Sequence, residues 1–336
     1  MNKGSGLPGE FELIARYFAP LAKGFPGAYG LLDDAAVITP AVGHELVAKT
    51  DAIVGGVHFL PEDPPDLVAR KALRVNLSDL AAKGAIARAY MLDLMLPNTI
   101  GEAWIAGFAH GLALDQDEYG VHLIGGDTDS TPGPVTIAIM AFGEVPTGRI
   151  IRRGGACPGD AIFVTGTIGD AALGLEVLRG KLPQLDAASA GFLVDRYRLP
   201  QPRITVGPQL IGLATAALDV SDGLIADLGH ICEVSDVTAI VEAQRVPLSP
   251  AARAAIETAQ GGGLATALTG GDDYEILFTA PQAVAGALAE LSHRLGVAIT
   301  AIGHMSAPST ETEKRVTVVA ADGRPLRFAY EGWRHF

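Results

Sequence analysis

At 336 residues, 49% hydrophobic and 19% charged, the chain has the make-up of a globular protein of about two domains, which excludes a disordered one. A formal net charge of −13 excludes nucleic acid and an anionic membrane as main partners. Cys157 and Cys232 form no close pair, which excludes a disulfide framework and a thiolate zinc site. With no signal pattern at the N-terminus and no apolar run near about 18 residues, the expectation is a soluble cytoplasmic protein.

Glu10 to Lys23 carries apolar residues at a helical period. The preceding Gly4-Ser5-Gly6-Leu7-Pro8-Gly9 matches a dinucleotide fingerprint only on paper, because no strand precedes it and Pro8 lies inside it. Leu31 to Ile38 reads as a strand bearing Asp33 and Asp34, and His44 to Asp51 as another, ending Lys49-Thr50-Asp51. Pro64-Pro65 opens a long helix over Asp66 to Gly84. On that apolar helix Asn76, Asp79 and Lys83 share one face, which is either a solvated stripe or a set of polar groups with partners.

Ala89 to Leu96 predicts a strand, Gly101 to Glu118 a helix, Val121 to Ile124 a strand running into Gly125-Gly126-Asp127-Thr128, and Val135 to Glu144 a strongly apolar strand. The basic, then Gly/Pro-rich stretch from Arg149 to Asp160 sets the domain boundary, giving 1–150 as an N-terminal α/β domain and 151–336 as a C-terminal α+β domain. In the second domain, strands are expected at Ala161 to Thr165, Thr238 to Val241, Glu275 to Thr279, Ile299 to Ile302 and Val316 to Val319. Helices are expected over 170–180, Arg203 to Ala214, after Asp222 to about Val234, Pro250 to Thr258, and Ala283 to Leu295.

The chemistry points to one residue type. There is no Walker-type glycine loop, protein-kinase catalytic loop, zinc-protease helix or serine-hydrolase elbow, and the histidines are scattered. What recurs is aspartate at a strand end or on an apolar helix: Asp34, Asp51, Asp79, Asp127, Asp219 and Asp222. The densest stretch is Asp219-Val220-Ser221-Asp222-Gly223-Leu224, where a strand enters, a helix leaves, and both carboxylates fall on one side of the turn. Its plain alternative is a helix N-terminus at which Ser221 or Asp222 caps free amides. Carboxylates from five segments repel one another unless cations lie between them, and hard cations such as Mg²⁺ held that way neutralise a polyphosphate. The acidic set therefore predicts ATP chemistry mediated by several Mg²⁺ ions.

Gly9-Glu10-Phe11, Asp33-Asp34-Ala35-Ala36, Thr50-Asp51, Gly56-Val57-His58-Phe59 and Asn76-Leu77-Ser78-Asp79 occur in that order. Gly125-Gly126-Asp127-Thr128, Asp219-Val220-Ser221-Asp222-Gly223-Leu224, Gly270-Gly271-Asp272-Asp273-Tyr274-Glu275 and His335-Phe336 follow. This ordered set resembles the thiamine-monophosphate kinase family over essentially the whole chain. The resemblance implies the two-domain aminoimidazole ribonucleotide synthetase-like fold, with an N-terminal sheet that dimerises and a C-terminal α+β domain. It implies transfer of the γ-phosphate of ATP directly to thiamine monophosphate, with no covalent intermediate and no general base. By the same resemblance Asp34, Thr50, Asp51, Asp79, Asp127, Asp219 and Asp222 hold Mg²⁺, while Gly126, Asp127, Arg153 and Ser221 contact ATP. His58, Asp272 and Tyr330 lie at the thiamine phosphate.

Five positions depart from the family pattern. Leu32 stands where the family has glycine, Lys49 where it has Ser or Thr, Asp272 where it has glutamate, and Asp129-Ser130-Thr131-Pro132 displaces an arginine near Thr128. The ending Gly332-Trp333-Arg334 replaces Gly-Tyr-Asp. Two ATP-using relatives fit less well: no cysteine precedes Cys157, as a selenophosphate synthetase would need, and no cysteine tail closes the chain, as in the hydrogenase maturation enzyme. The alternative of another class is a non-catalytic acidic cation-binding protein.

Overall fold

The computed structural model describes residues 8–259, 262–308, 315–329 and 332. The chain forms two units: one runs to Leu80 and resumes over Ala85–Gly148, and the other holds Ala81–Gly84 and the chain from Arg149.

The first unit opens with a single turn of α-helix, α1 (Glu10–Leu13), which widens into a π turn over Ile14–Phe18 and then tightens into a 3₁₀ turn over Ala19–Ala22. The expected regular helix to Lys23 does not form. Pro20 has no amide and its ring blocks the carbonyl four residues back, so the α ladder cannot pass it. The expected strand over Leu31 to Ile38 is also absent. Tyr29, Gly30 and Leu31 take left-handed backbone angles in succession, and the segment after them is irregular. Its apolar residues Leu31, Ala36 and Ile38 pack against Ala89 and Ile124 instead of joining a ladder.

β1 (His44–Val54), α2 (Pro65–Ala82), β2 (Ile86–Leu96), α3 (Glu102–Tyr119), β3 (His122–Ser130) and β4 (Thr136–Pro146) complete the unit. The strands lie in the order β1-β4-β2-β3. The β2–β3 pair is parallel and is connected through α3, the crossover that parallel neighbours require. β3 runs six residues past the predicted end, so Gly125–Thr128 lie within the strand and not beyond it. On β4 Ile137, Ile139 and Ala141 are buried while Met140 between them is 43% exposed, the alternation of a sheet with one covered face. α2 and α3 are joined by a buried ion pair, Arg74 Nε to Asp115 Oδ2 at 2.7 Å.

The polar stripe of α2 is not a solvated face. Asn76 is buried, and its amide donates to the Ala72 carbonyl at 3.0 Å. Lys83, just past the helix, donates to the Ala217 carbonyl at 2.7 Å.

In the second unit β5 (Ala161–Thr165), α4 (Asp170–Leu178), α5 (Ala187–Arg198), β6 (Ala216–Asp219), α6 (Leu224–Ser235), β7 (Thr238–Glu242), α7 (Pro250–Thr258), α8 (Gly263–Thr269), β8 (Ile276–Ala280), α9 (Ala285–Leu295), β9 (Ile299–Ser306) and β10 (Val316–Val319) follow in order. The sheet order is β10-β7-β9-β5-β8-β6. β5 is buried throughout, with Ile162 and Val164 in one apolar cluster and Ala161 and Phe163 in another, so both faces of its sheet are covered.

The sequence reading missed α5 and α8. α5 is capped by Asp186, whose side chain accepts from the Ala188 and Ser189 amides. The helix expected over Arg203 to Ala214 shrinks to a 3₁₀ turn at Gly207–Leu210, where Pro208 and the left-handed Gly212 interrupt it. No helix among the described residues is long and apolar enough to cross a membrane.

Candidate active site

In the second unit the chain from β6 to α6 is the predicted strand–turn–helix. Asp219 ends β6 and is buried; Ser221 and Asp222 are half-buried. Neither Ser221 nor Asp222 caps the helix. Gly223 is the N-cap residue and makes no side-chain hydrogen bond. The capping comes from inside the helix: Asp227 Oδ2 accepts from the Ser221, Asp222 and Gly223 amides at 2.9, 2.9 and 3.1 Å. One carboxylate thus folds the whole turn back on its helix. Burial, and then the Asp222 carboxylate, push the Asp227 carboxyl up to about 7. Asp222, Asp227 and His230 bring three potential metal-ligand atoms within 4.8 Å of one another. Asp227 and His230 were not among the sequence candidates. The signal was present as carboxylate and imidazole at i and i+3 on the helix that leaves the motif.

The glycine–aspartate loop before β8 lies alongside this turn. The Asp272 amide donates to the Ser221 carbonyl at 2.9 Å, the Tyr274 amide to the Val220 carbonyl at 2.8 Å, and the Val220 amide to the Glu275 carbonyl at 2.9 Å. A Cβ on Gly271 would meet the Ser221 carbonyl oxygen at 2.0 Å, so only glycine lets the two backbones approach this closely. Asp272 and Tyr274 both hold left-handed φ values, 73° and 51°, a costly conformation for non-glycine residues that the backbone bonds on each side enforce. Asp272 is half-buried, and its Oδ1 accepts from the Tyr274 hydroxyl at 3.3 Å.

The residues on either side of Asp272 anchor the loop from beneath. Asp273 is buried and accepts from the Gly169 amide at 2.7 Å and the Ala171 amide at 3.3 Å, at the start of α4. Burial raises its carboxyl well above the usual range. Glu275 is wholly buried, with Arg196 Nη2 at 2.9 Å, Arg203 Nε at 2.6 Å and the Thr165 hydroxyl at 2.7 Å. Charge-assisted bonds of this kind fix a side chain strongly, and here they fix the strand entrance. It is Asp273 that accepts from the amides at the start of α4.

In the first unit Lys49, Asp51 and Asp79 come together. Lys49 Nζ lies 2.9 Å from Asp79 Oδ2 and 3.2 Å from Asp51 Oδ2. Burial, with the Asp79 carboxylate adding to it, lifts Asp51 above its ordinary value against the pull of Lys49. Burial opposes the Lys49 charge, yet Asp79 and Asp51 together outweigh it and the ammonium is held above its usual pKa. Thr50 lies between Lys49 and Asp51 in β1 and so leaves the strand on the opposite face.

Gly126 pairs with Leu92 and has φ 146°; a Cβ there would sit 1.8 Å from the Leu92 carbonyl oxygen, so the position admits only glycine. Asp127 is exposed, stands opposite Asp93 of β2, and accepts from the Thr128 amide at 2.8 Å. Asp93 is a carboxylate that the sequence reading passed over. Only the parallel register, shifted between Tyr90 and Met91, sets it beside Asp127. Asp34 is exposed on the irregular segment, where the Asp33 side chain accepts from its amide at 2.8 Å. His58 Nδ1 accepts from the Val54 amide at 3.0 Å, which leaves the proton on Nε2. Arg153 is exposed in the second unit. Tyr330, Trp333 and the closing residues lie outside the described residues.

Residues 32–145 match the model described as AIR synthase related protein, N-terminal domain, and residues 157–315 the corresponding C-terminal domain. The chain is 43% identical over 330 residues, 98% of each chain, to thiamine-monophosphate kinase of Escherichia coli (strain K12). A crystal structure of thiamine-monophosphate kinase from Stenotrophomonas maltophilia K279a is 39% identical, with TM-score 0.78, covering 88% of this chain and 91% of that one. A structure of AaThiL complexed with AMPPCP and TMP is 29% identical, with TM-score 0.75, covering 92% of this chain and 97% of that one. The fold expected from the ordered motifs is therefore the fold found, and the chain belongs to the thiamine-monophosphate kinase family of AIR synthase related proteins.

Proposed function

We propose that this protein transfers the γ-phosphoryl group of ATP to thiamine monophosphate, giving ADP and thiamine diphosphate. The observation that carries the reading is the backbone ladder that seats the Asp272 loop against Val220 and Ser221, in a chain akin to the kinases over nearly its whole length. Phosphoryl transfer asks for positioning and charge neutralisation more than for covalent chemistry. The acceptor is a phosphate monoester already ionised at neutral pH, so none of the residues has to remove a proton from it.

The donor set fits Mg²⁺. The candidate ligands are carboxylates, the hard oxygen donors that this ion takes. Asp51 and Asp79 already draw a cation between them, the Lys49 ammonium. In the first unit Asp34, Asp51, Asp79 and Asp127 would hold Mg²⁺, and in the second Asp219 and Asp222, while the Thr50 hydroxyl leaves β1 on the face away from Asp51 and Asp79. Bound Mg²⁺ would neutralise the phosphate oxygens that a chain of net charge −13 otherwise repels. Gly126, Asp127, Ser221 and Arg153 are assigned to ATP. His58 and Asp272 are assigned to the acceptor, His58 to its phosphate and Asp272 to its amino group. ATP as donor places the reaction in the cytoplasm.

A homodimer completes the reading. The half of the first sheet's outer face on β1 and β4 leaves Leu46 and Met140 at 40% and 43% exposure, while the other half lies under residues 22–38. A second copy covering the open half would bury these side chains.

The test is chromatographic. With ATP and Mg²⁺ the protein should convert thiamine monophosphate to the diphosphate with equimolar ADP. ADP release that requires some other phosphate acceptor, with none on thiamine monophosphate, overturns the substrate assignment.

A further inference from the structure

Lys49 is placed where a metal-binding reading would put a cation. It shares the α2-facing side of β1 with Asp51, two residues on, and Asp79 reaches the same point from α2. Its ammonium contacts both carboxylates, at 2.9 and 3.2 Å, and the side chains are only partly exposed: Lys49 30%, Asp79 22%, Asp51 46%. Two carboxylates this close destabilise each other unless positive charge lies between them. An ammonium satisfies both through separate N–H donors, and it keeps a small divalent ion, which needs direct oxygen contact near 2.0–2.1 Å, from bridging them.

We propose that the Lys49 ammonium is a resident cation of this site, standing between Asp51 and Asp79 in the place of one divalent metal ion. The protein then binds one divalent ion fewer than the same chain would with a small hydroxyl residue at position 49. It also keeps Asp51 and Asp79 at their working separation when no metal is present. The inference rests on the proposed role of Asp51 and Asp79 as metal ligands.

Mn²⁺ serves as the probe, counted by equilibrium dialysis on the full chain without nucleotide. Lys49→Thr should bind one more Mn²⁺ per chain than the native protein, and Lys49→Arg the same number as the native protein. Without metal, Lys49→Thr should melt below the native protein, and saturating Mn²⁺ should close that gap. A second measurement uses only the native chain: acetylation of Lys49, followed by mass spectrometry, should be as slow with saturating Mn²⁺ as without. Equal, non-zero Mn²⁺ counts in the native and Thr chains, or acetylation of Lys49 that accelerates on adding Mn²⁺, overturn the inference and leave the kinase reading standing. A native chain that binds no Mn²⁺ overturns the metal reading, and the inference with it.

Discussion

Asp272 concentrates the functional argument into one side chain. It sits at φ 73°, a conformation that Asp and Asn tolerate better than most residues, and the chain holds it there with a backbone bond to Ser221. A charge-assisted hydrogen bond from the acceptor's amino group to this carboxylate is worth on the order of 1.5–3 kcal/mol. Asp272→Asn keeps the backbone preference and removes the charge. It should raise KM for thiamine monophosphate about ten- to a hundredfold while leaving KM for ATP nearly unchanged. Asp272→Glu, which restores the longer side chain of the family pattern, should retain or tighten acceptor binding. Steady-state kinetics with each substrate varied in turn separates the outcomes, and equal losses for both substrates would make Asp272 a loop residue only. The motif containing Asp272 was legible in the sequence. Its strained backbone and the division of labour with Asp273 were not, because neither leaves a periodic trace.

At the scale of the element, the entrance to β8 is fastened by buried charge. Glu275 is paired with two arginines, whereas for Asp273 burial outweighs the pull of its two amide donors and favours the protonated form. Its carboxyl is raised in the folded state above the unfolded value of about 3.9, so the folded protein binds the extra proton. That stability is fully present below about pH 4 and is lost as pH rises through the folded value. Asp273→Asn cannot titrate and still offers an acceptor to Gly169. Melting temperatures from pH 5 to pH 8 should therefore show the native protein losing ground to Asp273→Asn as pH rises. Parallel profiles would mean that Asp273 is ionised throughout. The same scale explains the missed helices. α8 is short, and α5 is specified by the Asp186 cap and by Leu193 packing into an apolar cluster more than by any long pattern.

For the whole molecule the outstanding question is the open half of the first sheet. Met140→Lys would place a charge in the middle of that face, opposite Thr50 and Met91. If a second copy covers the face, sedimentation should show a dimer for the native chain at micromolar concentration and a shift to monomer for the variant. A native chain that sediments as a monomer contradicts the assembly.

What the sequence determined by itself was the set of long, strongly patterned elements and the acidic motifs. The strands at β1, β2, β4 and β5 and the helices α2 and α3 follow from side-chain periodicity, which is a local property of the chain. The order of the motifs was enough to name the family, because the ordered set is far more specific than any one motif. Tertiary structure decided the partnerships. The pairing of Asp93 with Asp127, Lys49 between Asp51 and Asp79, and Asp227 holding the amides of its own motif depend on register, on strand order and on which helix face packs inward. It also overruled local pattern where a proline or a left-handed residue broke the ladder, at Pro20, Leu31 and Pro208. The Asp93–Asp127 and Lys49–Asp79 contacts span tens of residues, and a contact formed across that distance has no counterpart in the spacing of neighbours along the chain.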